Sequence, residues 1–130
     1  MRSLKQNILA GLLSGLSFVS ATAVAAEEKM KIVASFSILG DMVEQVIGEH
    51  ASVTTIVGPD ADAHIYQPSV ADARSVADAD VIFVNGLRFE TWSDTLIAKS
   101  GTKATVHVAT EGITPVFVDG EVDPHAWNFC

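Results

Sequence analysis

The sequence predicts an α/β fold, a parallel β-sheet with helices on both faces. Short β-branched runs alternate with stretches of helical spacing, and the connections between them are short, the pattern of a parallel sheet covered on both sides. One of those runs, Val81-Ile82-Phe83-Val84-Asn85, is continuously apolar, as expected of a central strand buried on both faces. No internal repeat and no low-complexity tract competes with this reading.

Taken in order, Met30 to Ser35 reads as a first buried strand. Ser37 is placed to cap a helix whose apolar residues form two rows, Ile38-Met42-Val46 and Leu39-Val43-Ile47, with Gly48 closing it. The i, i+4, i+8 spacing predicts a broad buried stripe with Glu44, Gln45 and Glu49 outside. Val53 to Val57 gives the second strand, and Ser69 to Asp78 a helix with Val70, Ala73, Val76 and Ala77 toward the core. After the central strand, Gly86 to Glu90 turns the chain. Thr91 to Ala98 is helical with Trp92, Leu96 and Ile97 inward, and Lys103 to Val108 is the fourth strand. From Thr110 onward periodicity fades, and Pro115 to Val118 predicts one short extended piece.

The first 26 residues read as a secretory signal peptide: Arg2 and Lys5, an apolar run from Ile8 to Val19, then small residues ending at Ala25-Ala26. The run is short of the roughly 18–20 residues a membrane span needs. With no cysteine at the cleavage region to carry a lipid, the exported chain is expected to be unanchored and not inserted in a membrane. Residues 27–130 remain as one domain of modest core. The whole chain carries a net charge of −8, and loss of Arg2 and Lys5 makes it more acidic, which argues against nucleic acid or an anionic membrane as partner. The sole cysteine, Cys130, excludes an internal disulfide and a cysteine-based zinc site.

Two proline-stiffened loops carry the candidate chemistry. Gly58 to Ser69 leaves the carboxyl end of the second strand and holds His64, where open α/β sheets bind ligands. Val122-Asp123-Pro124-His125-Ala126-Trp127 delivers His125 in the same way. A lone loop histidine is ordinarily a solvated side chain, whereas two neutral imidazoles converging above the sheet's edge would bind a metal at about 2.0–2.1 Å. His50, after the first helix, and His107, between Val106 and Val108, read as structural. Asp60, Asp62 and Asp123 suit Asx turns first and orientation of an imidazole second. Ser69, His64 and Asp62 are types that could make a triad, but no nucleophile elbow or phosphate-binding glycine motif is present.

Four motifs in this order behind a signal peptide resemble the N-terminal lobe of the metal-binding substrate-binding proteins of zinc and manganese ABC transporters, the TroA-like or cluster A-I family. They are Ile32 to Asp41; Gly58-Pro59-Asp60 with Ala63 to Ser69; Ala79 to Leu87 with Glu90 and Trp92; and Asp123 to Trp127. The resemblance implies one lobe of a two-lobed solute-binding protein, with a single divalent ion held between lobes joined by a long helix. It implies that His64 and His125 ligate that ion, and that a His or Glu and an Asp from the second lobe complete the shell. On this basis the chain is expected to be a fragment, residues 27–130 forming the N-terminal lobe, of a monomeric periplasmic protein that is not an enzyme. Its role would be to capture Zn²⁺ or Mn²⁺, with Fe²⁺ as a further candidate, and deliver it to an ABC transporter permease. A surface adhesin of the same family and a secreted metallohydrolase are the alternatives. The short segment Val118 to Val122 lacks the histidines of zinc-dedicated relatives, and Ser35 to Asp41 looks more like the manganese, iron and zinc members. Bare affinity at imidazole nitrogen favours zinc. The exported protein is expected to begin at Ala26 or Glu27, and mass spectrometry of the periplasmic fraction checks it; an intact Met1 terminus would refute the cleavage site.

Overall fold

The structure is a computed structural model that describes residues 28–129; the expected signal peptide, Glu27 and Cys130 lie outside the described residues. Four strands, β1 (Met30–Phe36), β2 (Ala51–Val57), β3 (Val81–Val84) and β4 (Thr105–Val108), form one sheet in the order β2-β1-β3-β4. All three neighbouring pairs are parallel, with Ala34 opposite Thr55 and Phe83, and Phe83 opposite His107. The helices are α1 (Ser37–Ile47), α2 (Val70–Ala77) and α3 (Ser93–Ser100). The α/β class and parallel sheet expected from the sequence are therefore present.

Strand alternation sorts the core onto two faces. Val33, Ser35, Ile56, Ile82 and Val84 meet Val76 of α2 and Leu96 of α3 on one side. Ala34, Thr55 and Phe83 face α1, where Gly40 lies flat against Ala34 and Thr55. Ile82 and Val76 are almost fully buried. Because β1 leads through α1 to β2 on one side while β2 crosses back through α2 to β3 on the other, the strand order reverses between β1 and β3. That crevice at the carboxyl edge is where an open sheet of this kind holds ligands.

Several boundaries and faces differ from expectation. Ser37 is the first residue of α1, and Phe36 occupies the cap position without a side-chain hydrogen bond. The stripe on α1 is half as broad as its spacing predicts: Leu39 is buried and Val43 and Ile47 partly so, but Ile38, Met42 and Val46 are exposed, Val46 at 89%. The reason is the sheet's narrowness on that side. The helix rests on β1 and β2, and the short edge strand β4, itself exposed along its length, does not reach the outer row. In α2, Val76 and Ala73 turn inward, whereas Val70 and Ala77 are exposed. Ser69 caps this helix in a reciprocal box with Asp72, which fixes its first turn so that Val70 points out. The last helix starts at Ser93, with Trp92 as its cap and Leu96 buried, and β4 is shorter than the run beginning at Lys103.

The largest difference is beyond Thr110. Instead of one extended piece, β5 (Val116–Val118) and β6 (Glu121–Asp123) pair as an antiparallel hairpin. Asp119 and Gly120 turn it with φ of 50° and 88°, the two left-handed residues that a two-residue hairpin needs. No helix among the described residues is long and apolar enough to cross a membrane.

Ile82 is 2% exposed at the centre of the sheet. Ile82→Ala is expected to cost about 2–5 kcal/mol, from lost transfer energy plus a residual cavity, measured by urea unfolding. A change below about 0.5 kcal/mol would contradict this account of the core.

Candidate metal centre

His64 sits on the loop after β2, pinned at three places. The Asp62 carboxylate accepts the His64 backbone N–H at 2.8 Å, the Asx turn that acids in such loops favour. The Trp92 indole N–H donates to the Ala63 carbonyl at 2.7 Å. Further on, the Tyr66 hydroxyl donates to Asp72 at 3.0 Å, so the loop is tied to the capping box of α2. Burial and this contact with Asp72 push the Tyr66 phenol above its ordinary value, which keeps it a neutral donor.

His125 follows β6 on the same design. The Asp123 carboxylate accepts the His125 backbone N–H at 3.0 Å and also the ring Nδ1 at 2.6 Å. These two bonds, the backbone one first, hold the Asp123 carboxyl below its ordinary range, so it is a carboxylate at neutral pH. A carboxylate on Nδ1 places the proton there and leaves the Nε2 lone pair to face outward. Asp123 therefore serves both as turn former and as orienter of an imidazole, while Asp62 acts only on backbone. Asp60 lies in the turn that opens the first loop.

The two rings converge. Nε2 of His64 lies 3.4 Å from Nε2 of His125, with the ring planes at 69°. Two nitrogens bound at about 2.0–2.1 Å to one tetrahedral ion are about 3.3–3.4 Å apart, so this separation is the edge of a tetrahedral site. Two outward lone pairs at that distance repel unless a cation or a proton lies between them. The buried Phe89 ring braces both, its centroid 4.5 Å from His64 and 5.6 Å from His125, each edge-on. Trp127 closes over Phe36, Phe89 and His125.

The support comes from the segment between β3 and α3, which the sequence marked as a turn and as part of a family motif but not as a support for the histidine loops. Asn85, 3% exposed, donates from its amide to the carbonyls of Pro124 at 2.9 Å and Gly86 at 3.0 Å. Its own carbonyl accepts the Thr110 hydroxyl at 2.6 Å. The Glu90 carboxylate, 4% exposed, accepts the Asn85 backbone N–H and the Ser35 hydroxyl, the latter at 2.7 Å, and so ties the ends of β1 and β3 across the crevice. Gly86, Leu87 and Arg88 are three successive residues at φ of 85°, 51° and 62°. Left-handed backbone at the two non-glycine positions costs about 1–2 kcal/mol each, and it turns the chain so that Phe89 and Glu90 re-enter the core. The sequence signals for these residues were the motif Ala79 to Leu87 with Glu90 and Trp92, and the presence of Phe89 and Glu90, types that bury or bond, inside a predicted turn.

The other candidates are elsewhere. His50 ends a 3₁₀ turn beside Glu28 and Met30, at the opposite edge of the sheet. His107 stacks on Phe83 within β4, ring centroids 5.4 Å apart. Ser69 spends its hydroxyl on Asp72, so it makes no triad with His64 and Asp62. Among the described residues no cluster of three or more His, Cys, Asp or Glu side chains could hold a metal. What the chain presents is a pair.

The fold is a parallel α/β lobe that brings an imidazole pair together at its switch point. Residues 32–128 match the family model for the zinc-uptake complex component A, periplasmic (ZnuA), and the chain belongs to that family. It is 44% identical over 101 residues to the manganese-binding lipoprotein MntA of Halalkalibacterium halodurans, covering 77% of this chain and 34% of that protein. It is 34% identical over 105 residues to the iron-binding protein YfeA of Yersinia pestis, covering 77% of this chain and 33% of that protein. The Mn-bound periplasmic metal-binding protein from Candidatus Liberibacter asiaticus superposes with a TM-score of 0.70 at 35% identity, over 76% of this chain and 38% of that one. The chain thus spans about a third of the length of these curated relatives. Several relatives are named lipoproteins, so freedom from a lipid anchor, expected here from the cleavage region, is not general in the family.

Gly86 is the hinge of the strained turn. A Cβ there would meet Val108 Cγ1 at 2.4 Å and Thr110 Oγ1 at 2.8 Å, on a backbone at φ 85°. Gly86→Ala is expected to destabilise the lobe by about 1–3 kcal/mol, read as a lower melting temperature; an unchanged melting temperature would contradict the placement of the turn.

Proposed function

We propose that residues 27–130 are the N-terminal lobe of a substrate-binding protein that captures a divalent metal ion outside the cytoplasm, in the periplasm, and passes it to the permease of an ABC importer. The observation that carries this reading is the 3.4 Å approach of the two Nε2 atoms, one ring held in its ligating tautomer by Asp123. His64 and His125 are assigned as metal ligands. The names of the relatives support an ion of the manganese, iron and zinc group as cargo. The remaining ligands would come from a second lobe facing the carboxyl edge, with the linking helix packed on the apolar row Ile38-Met42-Val46 of α1. The two-lobed protein would act as a monomer.

Each part of the pair has a role in capture and release. The neutral imidazoles supply lone pairs without charge, so the anionic share of the shell falls to the second lobe. Opening of the lobes would leave the ion on two ligands only, a weak site from which a permease could take it. Catalysis has no support in the geometry. A metallohydrolase needs a base aimed at bound water, and Asp62 and Asp123, the acids two residues before each histidine, are engaged by the backbone and ring of those histidines.

Calorimetric titration with Zn²⁺ and Mn²⁺ tests the assignment. In a two-lobed version, His64→Ala or His125→Ala should weaken binding by at least about 100-fold, of the order expected from loss of an inner ligand when even outer-shell changes cost about 10–100-fold. Undiminished affinity in either variant would exclude that residue as a ligand. The 130-residue chain by itself should bind far more weakly than the two-lobed protein and shift little in melting temperature with added metal. A tight one-to-one site on the monomeric chain would mean that all ligands are already within this sequence.

A further inference from the structure

Asn85 to Trp92 holds both histidine loops yet contributes no histidine. The carbonyl immediately before His64, that of Ala63, accepts the Trp92 indole N–H at 2.7 Å, and the carbonyl immediately before His125, that of Pro124, accepts the Asn85 amide at 2.9 Å. Between these two anchors in the sequence lies Phe89, 5% exposed, whose ring meets both imidazoles edge-on. The loops are 61 positions apart and the structure pairs them through this one segment as well as at their tips. We propose that the β3–α3 segment is the positioning element of the metal centre. Trp92 and Asn85 set the height of the two loops, and Phe89 sets the separation and tilt of the two rings. This inference rests on the reading of His64 and His125 as ligands.

The arrangement is more specific than general loop support. Each anchor acts on the peptide unit next to a histidine, so a shift of either carbonyl moves the attached imidazole directly. The anchors also share one rigid origin. Asn85 is locked through its backbone N–H by Glu90, which also receives Ser35, and its carbonyl is held by Thr110. Trp92 caps α3, whose Leu96 is buried in the core. A site of two ligands from distant loops needs a common reference, and this segment provides one. Its left-handed residues Leu87 and Arg88 keep Phe89 between the loops.

The test is a Zn²⁺ titration of the ¹⁵N-labelled chain, followed by the imidazole nitrogen resonances, which report even a weak two-ligand site. In the wild type the Nε2 signals of His64 and His125 should move together along one binding curve. Trp92→Phe keeps an apolar ring but loses the donor to Ala63; His64 should then fall out of step with His125 and affinity should drop about 10-fold or more. Phe89→Leu, which keeps the site apolar but removes the ring that touches both imidazoles, should uncouple the pair in the same way, and it carries the test should Trp92→Phe not fold. Ile32→Ala, a change in the buried strand β1 near the opposite edge, should lower the melting temperature while leaving the two signals coupled. Coupled shifts and wild-type affinity in folded Trp92→Phe or Phe89→Leu would overturn the proposal. If His64→Ala and His125→Ala also left zinc binding unchanged, the ligand reading would fall instead.

Discussion

The buried carboxylate of Glu90 is the constraint on which the site end of this lobe depends. A carboxylate at 4% exposure is costly unless it is hydrogen-bonded, and its Oε1 accepts both the Asn85 backbone N–H and the Ser35 hydroxyl. Satisfying it draws together the carboxyl ends of β1 and β3, the two inner strands between which the connections diverge. That junction would otherwise be an open crevice with unpaired strand-end groups. The contact also closes the strained turn Gly86-Leu87-Arg88, whose left-handed backbone persists only because Phe89 and Glu90 are anchored on its far side.

From this junction the polar groups run outward in a chain. Ser35 reaches Glu90, Glu90 holds Asn85, Asn85 holds Pro124, and Asp123 just before it orients His125. No buried side-chain nitrogen or oxygen among the described residues lacks a partner. A fully satisfied network of this kind is rigid, because moving one member strands another. Rigidity is useful for an ion site, where displacements of a few tenths of an ångström alter coordination. Elsewhere the outer row of α1, the edge strand β4 and the hairpin residue Phe117 expose apolar surface.

Acidic net charge and paired imidazoles fit together. On the proposed reading, neutral nitrogen donors would accept a divalent ion without the desolvation cost of burying more carboxylates, and the chain's net charge of −8 would favour the approach of cations. Membership of a family whose members are named for zinc, manganese and iron is in keeping with such a site, since imidazole serves several of these ions and geometry with the remaining ligands decides among them.

The sequence by itself determined the α/β class, the order of strands and helices as far as β4, and the two loops that carry His64 and His125. These are properties of local pattern: alternation of apolar runs, helical spacing, and proline and glycine at the turns. It also read His50 and His107 as structural, and the fold places both away from the imidazole pair. Tertiary structure decided what depends on residues far apart in the chain. Whether Ile38, Met42 and Val46 are buried turned on how far β4 reaches, which no spacing within α1 encodes. The Asp119-Gly120 turn was a legible hairpin signal, but its strands are three residues each and too short for periodicity to declare them. Above all, the 3.4 Å between two nitrogens 61 positions apart, and the use of Asn85, Phe89 and Trp92 to fix it, exist only once the sheet has brought β2, β3 and the hairpin to one edge. A converging pair of nitrogens is a distance, and sequence spacing carries no distance between loops that meet through the fold.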